Sequence, residues 1–246
     1  MLGIDISKWN DTFDWSKAQK QNVELAYLKA SGCGDYGNYT DFRFKENGSS
    51  CPLPYKGAYH YFDYRKPGAD QCKFFLDKAG SFGNLRGVID LEDNSANFWP
   101  KMDGMIGTAL KYAFQFIEEY KLETGYLPVI YVSSYLTNKK DYLNRFIMRN
   151  FHECPLWVAH YTTASKPSVG GWTDWSMWQY SSTGDGRLFG NAIGNVYIDL
   201  NQVKNVNALL KPGITIEDPV VIPVIEPTDS EKLRILWEAY KAYQNK

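Results

Sequence analysis

The sequence predicts an α/β protein whose fold is an irregular TIM-like (β/α) barrel of eight strands with fewer or degenerate helices. Eight short apolar stretches recur along the chain, and helical patterns separate most of the first six, which is typical of parallel βαβ units. The length of 246 residues suffices for one barrel-sized domain with a full core. We therefore expect a barrel in residues 1–211, a Pro-containing linker in 212–230 and an amphipathic helix in 231–246.

Each predicted strand is a run of apolar and aromatic residues bounded by polar or glycine-containing segments. Aromatic residues make up 16% of the chain, and many of them fall in these runs. The strands are therefore expected to carry aromatic side chains as well as the apolar side chains of the core. In chain order they are predicted at 2–7, 25–31, 56–62, 87–92, 128–133, 155–161, 175–180 and 195–200.

Helices are predicted where apolar residues recur at spacings of three and four. Asp14 precedes a short helical pattern at 15–19, and its side chain is suited to cap the first turn. A polar, glycine-containing loop is expected at 32–39. The remaining helical segments are predicted at 41–47, 68–82, 102–123 and 138–150.

The end of the chain has a different composition. Residues 214–226 are rich in Ile, Val and Pro, which is typical of an extended linker. An isolated helix at 231–246 would be marginally stable in water, so its apolar stripe should pack against something. Docking on the barrel, self-association and a role in wall targeting are the alternatives. The stripe consists of Leu233, Leu236, Ala239, Tyr240 and Tyr243.

The charge and the motifs of the sequence argue against several classes of function. The net charge is −1, from 27 basic and 28 acidic residues, which argues against nucleic-acid partners. No apolar run reaches the roughly 18 residues of a membrane span, so no membrane insertion is expected. The N-terminus lacks the pattern of a signal peptide, so synthesis in the cytoplasm is expected. Four cysteines and three histidines show no zinc spacing, so neither a metal nor a cofactor is predicted.

One predicted strand, in 87–92, runs directly into a cluster of acids. Asp90 and Glu92 share a face of this strand because side chains alternate, and their Cα atoms should lie about 6.5–7 Å apart. An exposed acidic turn is the alternative interpretation. In a barrel, however, strand ends converge on one mouth, which would bring Asp5 and Asp199 into the same cluster.

Aromatic and polar side chains at the other strand ends would line that mouth. Tyr and Trp combine an apolar face with a polar tip, which suits carbohydrate binding. For several of these rings, packing in the core is the alternative. The candidate substrate-binding residues are Tyr59, Tyr61, Tyr131, Trp157, Tyr161, Trp178 and Gln179.

Paired carboxylates flanked by aromatic residues are the parts of a glycoside hydrolase. One carboxyl must carry a proton for the leaving oxygen, and burial together with neighbouring carboxylates raises a pKa. Glu92 has the longer reach and lies nearest the strand end, so it is the predicted general acid. Asp90, Asp5 and Asp199 are expected to be ionised, to hold the sugar and to stabilise positive charge in the transition state.

Eight segments, in order, resemble the glycoside hydrolase family 25 lysozymes, which are N-acetylmuramidases. The resemblance covers about residues 1–211. The segments are Gly3-Ile4-Asp5-Ile6-Ser7, Leu28-Lys29-Ala30-Ser31, Gly57-Ala58-Tyr59-His60-Tyr61-Phe62, Asp90-Leu91-Glu92-Asp93-Asn94, Ile130-Tyr131-Val132-Ser133, Leu156-Trp157-Val158-Ala159-His160-Tyr161, Trp178-Gln179-Tyr180-Ser181 and Ile198-Asp199-Leu200-Asn201. The chain departs from the family pattern at 32–35, where Glu-Gly is frequent, and at His160, where Gln is frequent.

This resemblance implies cleavage of the β-1,4 bond between N-acetylmuramic acid and N-acetylglucosamine in bacterial peptidoglycan, with Glu92 as the acid. It favours assistance by the substrate's acetamido group, and a directly activated water is the alternative. Without a signal peptide, a phage-endolysin-like enzyme is expected to reach the cell wall through a holin-like pore. Three alternatives remain open. The protein could be a bacterial enzyme that is exported by another route, a non-catalytic glycan-binding barrel, or a chitin-directed hydrolase.

Overall fold

The computed structural model describes residues 1–92, 106–138, 151–191 and 197–214. The chain divides into two units, Met1–Pro212 and Gly213–Lys246. Every strand and helix described here belongs to the first unit. From residue 215 onward, the predicted linker and C-terminal helix lie outside the described residues. All but the first residue of the predicted helix at 138–150 also lies outside them, so these elements remain predictions.

Nine strands form one sheet that closes on itself. Neighbouring strands follow the order β1-β9-β8-β7-β6-β5-β4-β2-β3, and an additional pairing of β1 with β2 closes a barrel of eight strands. This confirms the predicted α/β barrel, with β3 as an addition outside the ring. The bounds are β1 Leu2–Ile6, β2 Val23–Gly34, β3 Gly37–Thr40, β4 Tyr55–Tyr61, β5 Val88–Leu91, β6 Val129–Ser133, β7 Leu156–Ala159, β8 Met177–Asp185 and β9 Tyr197–Val203.

The last strand of the barrel runs against its neighbours. Pairing is parallel from β1 through β2 and β4 to β8, whereas β9 is antiparallel to both β8 and β1. The parallel βαβ units that the sequence predicts from the helices between the first strands do not extend to this last strand. Only residues 186–196 separate the two strands, which is shorter than the crossover that a parallel pair needs.

The helices are longest in the first half of the chain. The carboxylate of Asp14 caps the first helix by accepting a hydrogen bond from the Ser16 backbone N–H, as predicted. Residues 160–176, between β7 and β8, contain no helix. No helix within the described ranges is both long and apolar enough to span a membrane. The bounds are α1 Trp15–Lys20, α2 Phe44–Ser50, α3 Gly68–Ala79, α4 Ile106–Thr124, α5 Ser134–Asn138, α6 Gly186–Phe189 and α7 Val206–Leu209.

The segment 32–39, expected to be a polar loop, forms a hairpin instead. β2 continues to Gly34 and β3 returns beside it, with Ser31 opposite Thr40. Gly37 adopts a φ of +96°, a left-handed conformation that favours glycine in a tight turn. Most of β3 is exposed, so it lacks the apolar alternation by which a half-buried strand is recognised.

Apolar side chains pack on both sides of the barrel wall. Inside, the rings of Tyr27 and Trp157 stack with centroids 5.1 Å apart. Outside, Ile89 and Ile130 belong to a core that includes Phe75 of α3 and Phe116 of α4. Because side chains alternate along a strand, every second side chain of each strand points into the barrel interior.

A buried histidine joins the barrel to α3. His60 lies within hydrogen-bond distance of Ser31 Oγ (2.9 Å from Nδ1) and Gln71 Oε1 (3.2 Å from Nε2). Burial lowers the pKa of His60 to about 3, so the ring is neutral and acts as a packing and hydrogen-bonding group.

The two ends of the barrel meet at its floor, opposite the C-terminal ends of the parallel strands. The ammonium group of Met1 donates a hydrogen bond to the Val203 carbonyl oxygen at 3.1 Å. Arg86, just before β5, donates its backbone N–H to the Leu209 carbonyl oxygen at 2.7 Å. The reversed direction of β9 brings the chain back to this floor, and it places Asp199, early in β9, near the mouth.

Candidate active site

A cavity of about 490 Å³ opens at the C-terminal ends of the parallel strands. It contains all four predicted acids and six of the seven predicted substrate-binding residues, because their positions alternate with those of the outward-facing residues along each strand. The residues that line it are Asp5, Ser7, Lys8, Trp9, Lys29, Tyr39, Tyr59, Tyr61, Asp90, Glu92, Tyr131, Trp157, Tyr161, Gln179 and Asp199.

Trp178 does not line this cavity, and the prediction that it contacts substrate is corrected. Its indole N–H donates a hydrogen bond to the His160 carbonyl oxygen at 2.8 Å, and its ring packs edge-on against Trp175 and Tyr180. Adjacent residues of a strand face opposite sides, so Trp178 and Gln179 cannot both point into the barrel.

The first pair of acids lies at the end of β5. Asp90 is 4% exposed, and its Oδ1 has no hydrogen-bond partner among the described residues. Burial raises the pKa of Asp90 well above its usual range, and the Glu92 carboxylate raises it further. Burial also raises the pKa of Glu92. Together these carboxyls retain a proton at a pH where a free carboxyl has lost it.

A lysine from β2 faces this pair. The Nζ of Lys29 lies 4.3 Å from the ring centroid of Tyr61 and 6.0 Å from that of Tyr59. Burial lowers the pKa of Lys29, and the charges of Asp90 and Glu92 oppose that shift. The ammonium group in turn lowers the pKa of both carboxyls, so it favours one ionised member in the pair.

The second pair of acids joins β1 to β9, where Asp5 and Asp199 are opposite each other in the antiparallel register. Their carboxyl groups are hydrogen-bonded to one another. Burial raises the pKa of Asp5 to about 6 and, with the charge of Asp5, that of Asp199 to about 9. At neutral pH Asp199 therefore carries a proton and Asp5 is ionised, which corrects the expectation that Asp199 is charged.

Two amide side chains fix Asp5. Its Oδ2 accepts hydrogen bonds from Gln179 Nε2 at 3.0 Å and from Asn201 Nδ2 at 2.7 Å. Gln179 Oε1 also accepts from the hydroxyls of Tyr131 and Tyr161, at 2.8 and 2.7 Å. Most of the hydrogen-bonding capacity of Gln179 is thus used within the protein, and this residue holds three other cavity residues in place.

The remaining indole in the cavity belongs to its floor. Trp157 is 2% exposed, and its N–H donates to Asn201 Oδ1 at 2.8 Å. Its ring meets that of Tyr131 edge-on, with centroids 4.7 Å apart. Trp157 therefore supports the site from below, while the half-exposed Tyr161 offers its ring at the rim.

Sequence reasoning missed several residues of this site. Lys29 and Asn201 have the same strand parity as Tyr27 and Asp199, respectively, and that parity was the signal that could have identified them. Lys8, Trp9 and Tyr39 gave no such signal, because the first two lie in a short 3₁₀ turn after β1 and the third lies in the unexpected hairpin.

The chemistry of the cavity follows from these pairs. A protonated carboxyl beside an ionised one is suited to protonate a leaving oxygen while negative charge stabilises a developing cation. Within the described residues, no group of three or more His, Cys, Asp or Glu side chains is arranged to hold a metal ion.

Known proteins that are similar to this chain include several lysozymes. Lysozyme M1 of Streptomyces globisporus is 29% identical over 191 residues, which cover 74% of this chain and 62% of that protein. The autolytic lysozyme of Clostridium acetobutylicum is 26% identical over 241 residues, covering 88% and 68%. The solved bacterial lysozyme from Streptomyces coelicolor matches with a TM-score of 0.67 and 26% identity, covering 85% of this chain and 94% of that one.

The chain spans about three fifths of the length of the first curated relatives that it matches. The family model for glycosyl hydrolases family 25 matches residues 4–187, which include part of β1, all of the other barrel strands except β9, and three of the four cavity acids. The chain therefore belongs to glycosyl hydrolases family 25.

Proposed function

We propose that this chain is a peptidoglycan hydrolase that cleaves the β-1,4 bond between N-acetylmuramic acid and N-acetylglucosamine. The observation that carries the proposal is the buried pair of Asp90 and Glu92, which retains a proton inside an aromatic-lined cavity. Membership of family 25 and the lysozymes among its relatives support the same substrate class.

Glu92 is the proton donor in this proposal. It lies just beyond β5, is less buried than Asp90, and has the longer side chain, so its carboxyl reaches further into the cavity. Its proton passes to the glycosidic oxygen as the bond from that oxygen to the anomeric carbon breaks. The Glu92 carboxylate then takes a proton from the water whose hydroxyl adds to the anomeric carbon.

Asp90 stabilises and orients the reacting sugar. Its buried Oδ1 lacks a hydrogen-bond donor among the described residues, and an acetamido N–H of the substrate would supply one. This contact would direct the acetamido carbonyl oxygen towards the anomeric carbon, so acetamide assistance is the mechanism that we favour. Direct activation of water by Asp90 is the second candidate, supported by the same unpartnered oxygen.

The pair of Asp5 and Asp199 provides fixed negative charge on the other side of the cavity. Asp5 is held by Gln179 and Asn201, so it needs little reorganisation when positive charge develops on the sugar. Asp199 keeps its proton and donates it to Asp5 in a hydrogen bond. The active site thus combines the proton shared by Asp90 and Glu92, which Glu92 donates in this proposal, with the fixed anion of Asp5.

Digestion of purified bacterial peptidoglycan tests the proposal. After digestion, reduction with borohydride labels each new reducing end, and muramicitol is the expected product. Glucosaminitol as the labelled product, or cleavage of chitin oligomers in preference to peptidoglycan, would contradict the assigned bond and favour a chitin-directed hydrolase. Binding of glycan strands without any new reducing end would favour the non-catalytic barrel.

We also propose that the enzyme acts on the bacterial cell wall and that it is released from the cell as a phage endolysin would be.

A further inference from the structure

One end of the cavity differs from the rest in its charge. We call it the lysine–aromatic rim, and it consists of Lys8, Trp9, Tyr39 and Lys29. Trp9 is 68% exposed and Tyr39 36% exposed, although both line the cavity. The Nζ of Lys8 lies 4.9 Å from the ring centroid of Trp9 and 6.0 Å from that of Tyr39. Lys29 Nζ lies 5.7 Å from the Tyr39 centroid.

The exposed tryptophan is held on a rigid turn. Residues Lys8–Asn10 form a single 3₁₀ turn whose start is fixed by reciprocal hydrogen bonds between Ser7 and Asn10. The backbone N–H of Lys8 donates to Asp41 Oδ2 at 3.0 Å, and Asp41 is itself buried. A large apolar ring that is exposed on a fixed backbone turn at the edge of a cavity is suited to be covered by a ligand.

Tyr39 is fixed in a similar way. A Cβ on Gly32 would lie only 2.5 Å from the Tyr39 hydroxyl, so the ring occupies the space that a side chain at position 32 would fill. The hairpin that carries Tyr39 is tied to the loop after β4, because the Arg65 guanidinium bridges Asp35 at 2.7 Å and Asp63 at 2.7 Å. The rim is thus prearranged on both of its sides.

Charge is unevenly distributed around the cavity. Of the described residues that line it, only Lys8 and Lys29 are cationic, and both belong to the rim. Lys29 faces Asp90 and Glu92. Lys8 makes no ion pair among the described residues, and its ammonium group lies beside the rings of Trp9 and Tyr39, where it can pair with an anion.

We propose that the lysine–aromatic rim binds a carboxylate carried by the muramyl residue of the substrate, with a sugar or peptide face against Trp9. This inference rests on the proposed function. The sugar rings of the substrate are uncharged, so an unpaired cation beside exposed aromatic rings is not needed for them. Muramic acid carries a lactyl group, which presents either its own carboxylate or, through an amide, the carboxylates of a stem peptide.

Steady-state kinetics of Lys8→Glu on two matched substrates tests this assignment. One substrate is soluble, uncross-linked glycan strands with stem peptides, and the other is the same strands after an amidase has removed the peptides and freed the lactyl carboxylate. We expect KM to rise about tenfold on at least one substrate, with much less change in kcat, because a favourable ionic contact becomes a repulsive one. Lys8→Arg should restore KM, and the KM of the wild type should rise with salt.

Lys111→Glu is the matched control, since Lys111 is exposed on α4 and does not line the cavity. An increase in KM on the peptide-bearing strands alone assigns the rim to the stem peptide, and an increase on the peptide-free strands alone assigns it to the lactyl group. A KM for Lys8→Glu equal to that of Lys111→Glu on both substrates would overturn the inference while leaving the proposed function intact. Failure of the wild type to release muramic acid ends would instead remove the proposed function.

Discussion

Individual carboxyl groups in the cavity differ in role because their surroundings differ. Asp5 accepts two amide hydrogen bonds, which stabilise its charge, whereas Asp90 has an oxygen that no described residue satisfies. Asp199 is hydrogen-bonded to another acid and keeps its proton. Sequence reasoning placed all four acids together, but it treated the three aspartates alike, because hydrogen-bond partners such as Asn201 depend on the register between strands.

Replacing the proton donor should stop catalysis and leave the fold intact. We expect Glu92→Gln to lower kcat by about a thousandfold, since general acid catalysis contributes on this order, with little change in KM. Release of reducing ends from peptidoglycan and thermal unfolding measure the two effects. Glu118→Gln, on the exposed face of α4, is the control with the same chemical change. Near-normal activity of Glu92→Gln would remove the assignment.

Asp199 should make the folded protein less stable as pH rises. Its pKa is raised to about 9 in the folded protein, so between about pH 4 and pH 9 the folded state binds more protons than the unfolded state. The free energy of unfolding therefore decreases with pH across this window. We expect Asp199→Asn, which needs no ionisation, to raise the melting temperature more at pH 8 than at pH 5. An equal shift at both pH values would contradict the raised pKa.

Activity should depend on the ionisation of Asp5. Burial raises the pKa of Asp5 to about 6, so the fixed anion opposite Glu92 is lost as pH falls through that value. We expect kcat/KM to decline on the acidic side with a midpoint near pH 6, measured on soluble glycan strands. Asp5→Asn should lower kcat/KM at neutral pH and flatten this limb. An acidic limb that is unchanged in Asp5→Asn would assign the transition to another group.

At the scale of the elements, the hairpin of β2 and β3 was the largest departure from expectation. Glycine and polar residues at 32–39 are typical of a loop, and nothing in that stretch shows strand alternation. Its pairing depends on Tyr39 covering Gly32 and on Arg65 reaching Asp35, which are contacts between distant parts of the chain. The side of a strand on which each side chain lies was more predictable than the hairpin. In β8, this alternation predicts that the adjacent residues Trp178 and Gln179 face opposite sides of the barrel wall.

A single methyl group on this hairpin should disturb the rim. Gly32→Ala would place a Cβ 2.5 Å from the Tyr39 hydroxyl, so we expect the ring to be displaced and KM on glycan strands to rise several-fold. Gly34→Ala is a matched control two residues away, where the nearest atom would be 3.9 Å from the new Cβ. Comparable KM values for the two variants would indicate that Tyr39 does not contact substrate.

At the scale of the whole molecule, the barrel was predictable because eight apolar runs had to form a closed arrangement within about 210 residues. The direction of β9 was not predictable from those runs, since an apolar strand reads the same in either orientation. It followed instead from the short connection after β8. Eight short motifs in the right order then identified the family, although none of them is specific alone.

The barrel unit should be sufficient for catalysis. All the described residues that line the cavity lie within Met1–Pro212. We therefore expect a chain ending at residue 212 to cleave soluble glycan strands with a kcat within about twofold of that of the full chain.

Sedimentation velocity on both forms tests whether residues 213–246 mediate self-association. Loss of folded protein in the shorter form would show that the second unit contributes to stability.

The meeting of Met1 and Val203 at the barrel floor has a practical consequence for tethering. Both ends of this unit leave on the side away from the mouth, so a bead, a surface or a carrier joined at either end would hold the enzyme with its cavity facing outward.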